Sequence, residues 1–104
     1  MKKDSTLNYI IKVIAEKAKP EKIYLFGSRV NGKHNKESDY DILVVKKTKA
    51  TMYERILDMY NSFNHRDFSI DILVHTPEEI ESWKNTPSSF VHHVLTSGKL
   101  VYEK

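Results

Sequence analysis

Short strand-forming runs that alternate with amphipathic helical segments are what most narrows the folds open to this chain. Residues 23–26 (Ile-Tyr-Leu-Phe), 40–45 (Tyr-Asp-Ile-Leu-Val-Val) and 68–75 (Phe-Ser-Ile-Asp-Ile-Leu-Val-His) are rich in β-branched and aromatic residues, and the last alternates, Phe68, Ile70, Ile72 and Val74 to one face and Ser69, Asp71 and Leu73 to the other. Before them, Leu7, Ile10, Ile11, Ile14 and Ala18 recur at helical spacing and run out at Lys17, Lys19 and Pro20, which predicts a helix over about 5–19. Met52, Ile56, Met59, Tyr60 and Phe63 predict a second over about 51–63. Thr76-Pro77-Glu78-Glu79 joins an N-cap, a proline at the first helical position and a glutamate at the third, the start signal of a short helix through Ile80 and Trp83. Thr86-Pro87 repeats that signal before Phe90, Val91, Val94 and Leu95; Gly98 is expected to close this helix as a left-handed cap, with an edge strand over 100–102. Trp83 and the stripe Met52, Met59 and Tyr60 read as core. The expectation is an α/β fold, a small mixed β-sheet flanked by helices, forming one domain over residues 1–104.

Composition removes several functions. The 104 residues, 12.2 kDa, leave room for one hydrophobic core. With no cysteine there is no disulfide framework, thiolate zinc site or cysteine nucleophile. The longest aliphatic run, residues 42–45, is far below the roughly 20 residues that cross a bilayer, and the polar start carries no apolar signal core. A cytoplasmic protein without a membrane partner is expected. The formal charge of +3 would suit an anionic partner, but Lys and Glu are scattered through the chain, which argues against a dedicated nucleic-acid surface.

Three carboxylates stand where strand composition favours apolar residues. Asp39 and Asp41 are two apart, so on an extended backbone they share a face while Tyr40 and Ile42 take the other. Asp71 falls in the middle of the third run; it either pairs with a Lys or Arg or joins Asp39 and Asp41 if the two strands are neighbours. Clustered carboxylates repel unless a cation neutralises them, and a divalent metal with oxygen ligands does so. Nucleotidyl transfer uses such a cluster, with two ions about 4 Å apart at the attacking and leaving oxygens. Gly27-Ser28 adds backbone N–H groups and a hydroxyl at the end of an apolar strand, suited to phosphate oxygens, and Arg29 follows.

Gly27-Ser28, ten intervening residues, then Asp39-Tyr40-Asp41 resembles the signature of the DNA polymerase beta-like nucleotidyltransferases. The short chain, Gly32 and Ser38 make it most similar to their minimal nucleotidyltransferase family, over about residues 22–104. That resemblance implies that Gly27, Ser28 and, less constantly, Arg29 bind a nucleoside triphosphate. It implies further that Asp39, Asp41 and Asp71 ligate Mg²⁺, two ions in all, and are catalytic, with Ser38 as a supporting donor. Larger members carry a further helical domain, which this chain is expected to lack. Minimal members are usually paired with a HEPN protein encoded nearby, in a hetero-oligomer or beside homo-oligomers. They act as antitoxins, transferring AMP from ATP to a hydroxyl of the HEPN toxin. The alternative is an antitoxin that binds nucleotide without catalysis and inhibits its partner by complex formation.

Overall fold

A computed structural model of the chain describes residues 4–32, 39–63 and 68–104. Asp4 opens it: its carboxylate accepts from Leu7 N–H at 3.0 Å and caps helix α1, Ser5–Ala18, which stops where Lys19 turns left-handed (φ 49°) before Pro20. Strand β1, Lys22–Phe26, follows and runs into a single helical turn, α2, Ser28–Asn31, ended by left-handed Gly32. Strand β2, Tyr40–Val45, leads to α3, Met52–Asn61, and β3, Ile70–His75, to α4, Pro77–Trp83. Helix α5, Phe90–Ser97, and strand β4, Lys99–Glu103, complete the order. The expected mixed sheet flanked by helices is what forms.

Two helix caps follow from side chains at fixed local offsets. Thr76 and Glu79 exchange hydrogen bonds with each other's backbone at 2.9 and 3.1 Å, as the proline-containing start signal predicts. Thr51 and Glu54 do the same at the start of α3. The second start signal is displaced: Ser89, rather than Thr86, accepts from His92 N–H at 3.0 Å and caps α5. Gly98 is not a left-handed cap but extended (φ −84°). Glycine is required there for space, because a Cβ would lie 2.5 Å from Val94 O and 3.0 Å from Leu25 O, where the chain crosses from α5 onto β1.

The four strands lie in the order β3-β2-β1-β4, with β1 antiparallel to both neighbours and β2 parallel to β3. Alternation then sorts the side chains. Ile23, Leu25, Tyr40, Ile42, Val44, Ile70, Ile72 and Val74 share one face and form a buried cluster with Ile10 and Ile14 of α1 and with Met59 and Phe63. The opposite face carries Leu43 and Val45, buried outside that cluster, and receives α5 through Val91 and Val94 and through Phe90, whose ring meets Phe26 edge-on at 5.2 Å. Two of the residues expected in the core are not: Trp83 is 52% exposed and Met52 36%. Met52 opens α3 and Trp83 ends α4. Among the described residues no helix is long and apolar enough to cross a membrane.

Candidate active site

The site forms at one edge of the sheet, where β1 ends and β2 and β3 begin. Antiparallel register sets Phe26 opposite Asp41, and parallel register sets Asp41 opposite Asp71. Register partners project from the same face, so the Asp41 and Asp71 carboxylates stand together on the side away from the α1 and α3 core. Asp39, exposed and two residues earlier, adds its charge at the same end. Asp71 is the second residue of β3 and not its middle, since the strand begins at Ile70; hence it is exposed between buried Ile70 and Ile72.

Burial pushes the Asp41 carboxyl above its ordinary value, and the negative charges of Asp71 and then Asp39 push it the same way. The three groups thus form an acidic cluster with an all-oxygen donor set, which fits a hard divalent cation. Among the described residues no three ligand-type side chains close on a single point. Asp41 and Asp71 thus offer carboxylate oxygens side by side on one face of the sheet.

Gly27 joins the cluster by having no side chain. A Cβ built there would overlap Asp41 Oδ2 and lie 3.0 Å from its Cγ. Its backbone, at φ 80° and ψ −155°, also occupies a region open essentially to glycine. The backbone at the end of β1 is consequently pressed against the Asp41 carboxylate. Ser28 follows as the first residue of α2, which begins without a side-chain cap; Val30 N–H returns to Gly27 O at 3.1 Å. Ser38 lies outside the described residues.

Arg29, expected at the phosphates, is directed elsewhere. Its guanidinium carbon lies 3.8 Å from the centroid of the Tyr40 ring and its Nη1 is 4.0 Å from Asp4, with the side chain only 10% exposed. Tyr40 donates its hydroxyl to both Asp4 oxygens at 3.0 Å. Burial, then the hydrogen bond and charge of Asp4, raise the Tyr40 phenol above its ordinary value, while Arg29 opposes them. Asp4 therefore ties the start of α1 to the residue between Asp39 and Asp41. Its sequence signal is an N-cap just before Leu7; the long-range contact has none.

At the far end of β3 a second polar group locks α3 and α4 together. Arg55 Nη1 donates to Glu79 Oε1 at 2.8 Å and to Val74 O at 3.2 Å, and the His75 ring nitrogen lies 3.1 Å from the same Glu79 oxygen. Burial alone would raise the Glu79 carboxyl; hydrogen bonds from Arg55, Thr76 N–H and His75, with the Arg55 charge, bring it down to about 2. On α5, His92 Nδ1 donates to Lys84 O at 2.8 Å and His93 is exposed.

A four-stranded mixed sheet with a glycine-led turn beside carboxylates at the starts of two parallel strands defines a nucleotidyltransferase. The chain belongs to the polymerase beta nucleotidyltransferase family, whose model matches residues 8–104. It is similar to a Sulfolobus solfataricus protein assigned as a nucleotidyltransferase, at 22% identity and a TM-score of 0.61, over 99% of this chain and 91% of that one. A toxin–antitoxin structure with AMP-PNP is 26% identical with a TM-score of 0.60, over 93% and 73%. A structure of a mutant MntA–HpeT toxin–antitoxin is 25% identical with a TM-score of 0.59, over 99% and 75%. No curated protein matches.

Proposed function

We propose that this nucleotidyltransferase is an antitoxin that transfers AMP from ATP to a hydroxyl of a HEPN-type toxin encoded nearby. The observation that carries the catalytic part is the register pair Asp41 and Asp71 with Gly27 pressed against Asp41. Similarity to two toxin–antitoxin structures, one holding AMP-PNP, supports the partner and the nucleotide.

In this reading Gly27 and Ser28 present backbone N–H groups and a hydroxyl to the triphosphate, and Asp39 and Asp41 hold Mg²⁺. Asp71 completes the metal site and orients the acceptor hydroxyl, taking up its proton. The acceptor oxygen bonds to the α-phosphorus as the bond from that phosphorus to the bridging oxygen breaks, and pyrophosphate leaves. Bound divalent ions supply charge neutralisation at the attacking and leaving oxygens. Gly27 prevents any side chain from separating phosphate and carboxylates, and Arg29 contributes indirectly, by bracing Tyr40 between the two metal-site aspartates.

The test is incubation of the purified chain with Mg²⁺, ATP and the neighbouring toxin, followed by intact mass of both proteins. A gain of one or more AMP units on the toxin, absent with Asp39→Asn, is the expected result. An unmodified toxin held in a tight complex would replace transfer with inhibition by binding.

A further inference from the structure

Asp71 lies in β3, the outermost strand on its side of the sheet, where half the peptide groups have no neighbouring strand to pair with. The carbonyls of Ser69 and His75 accept from Tyr40 and Lys46 N–H at 2.9 and 3.0 Å, so 69, 71, 73 and 75 turn their peptide groups to β2. Residues 70, 72 and 74 turn theirs outward. On that side the Tyr60 hydroxyl donates to Ile70 O at 2.9 Å and accepts from Ile72 N–H at 3.3 Å. These two groups flank Asp71. Further along, Arg55 donates to Val74 O at 3.2 Å.

We propose that Tyr60 is a positioning residue for Asp71, its one hydroxyl taking the place of a missing strand and fixing the peptide units on both sides of that carboxylate. The inference rests on Asp71 serving the transfer reaction. The direction of the carboxylate follows from the backbone that carries it, and a carboxylate misplaced by a fraction of an ångström loses much of its effect. The ring of Tyr60 packs against the core, so removing the hydroxyl alone leaves that packing in place and releases both peptide groups.

The experiment compares Tyr60→Phe with Arg55→Met, which removes the corresponding clamp at the end of β3 away from Asp71. Amide exchange is measured on the full chain, and kcat and nucleotide KM in the transfer assay. Tyr60→Phe is expected to speed exchange at Ile72 about tenfold. It should also lower kcat about tenfold with nucleotide KM changed less than about twofold. Arg55→Met should lower the melting temperature and leave kcat within about twofold. Unchanged Ile72 exchange in Tyr60→Phe overturns the clamp, and unchanged kcat, or an equal loss in Arg55→Met, overturns its role in positioning. Asp71→Asn separates the two layers. If it transfers normally, the reading of Asp71 falls and the proposal with it; if it is inactive while Tyr60→Phe is not, only the positioning role falls.

Discussion

At the scale of single residues, the site depends on one atom that is absent and one charge that is uncomfortable. Any Cβ at residue 27 meets the Asp41 carboxylate and has to adopt a glycine backbone angle. Gly27→Ala should therefore destabilise the fold by about 1–3 kcal/mol and lower transfer about 100-fold, read by thermal melting and by the rate of AMP incorporation. Asp41 has its pKa raised in the folded state. A raised carboxyl favours folding fully below its ordinary value of 3.8 and loses that contribution as pH rises through the native value, so at neutral pH the ionised group opposes folding. Asp41→Asn should consequently melt a few degrees higher than the parent at pH 7 in EDTA, yet gain less than the parent on addition of Mg²⁺ and ATP. Scanning calorimetry in both buffers reads the crossover. The spacing of the aspartates is legible in the sequence; the direction of Arg29 is not, because a guanidinium after Gly-Ser suits a phosphate equally well and its contacts with Asp4 and Tyr40 are distant in sequence.

At the scale of elements, hydrogen-bonded carboxylates hold helices to the sheet at both ends. Tyr40→Phe removes the link from β2 to the start of α1 and should cost about 1 kcal/mol, seen as a shifted denaturant midpoint at unchanged slope. Glu79 is the opposite case to Asp41. Its pKa is lowered to about 2, so its contribution is present above the ordinary value of 4.5 and is lost as pH falls from there through about 2. Glu79→Gln should flatten the acid limb of a melting profile over that range and leave its neutral part lower by a few degrees. Most strands and helices were readable because periodicity and caps are local. Beyond local reach lay the parallel register that sets Asp41 against Asp71, since neither strand encodes its partner, and the clamp by Tyr60. In the sequence Tyr60 is one apolar member of a helical stripe; only the outermost place of β3 gives its hydroxyl a task. Gly27-Ser28 marks the turn at the end of β1, but that it runs on as one helical turn to Asn31 has no signal in so short and polar a stretch.

At the scale of the whole molecule, the sheet gives its two faces different duties. One is filled by α1 and α3 and makes the fold cohere; the other receives α5 against β1 and carries Asp41 and Asp71 at one end. The proposed chemistry sits at that acidic end, so the response to metal and nucleotide is its most direct readout. The measurement that tests the central claim is transfer from ATP labelled on either the α- or the γ-phosphate, run with the parent, Asp39→Asn, Asp41→Asn and Asp71→Asn. The α-label is expected on the acceptor and the γ-label in pyrophosphate, both dependent on a divalent metal and reduced at least about 100-fold in each variant. Transfer of the γ-label, or α-label transfer that survives these substitutions, would contradict it.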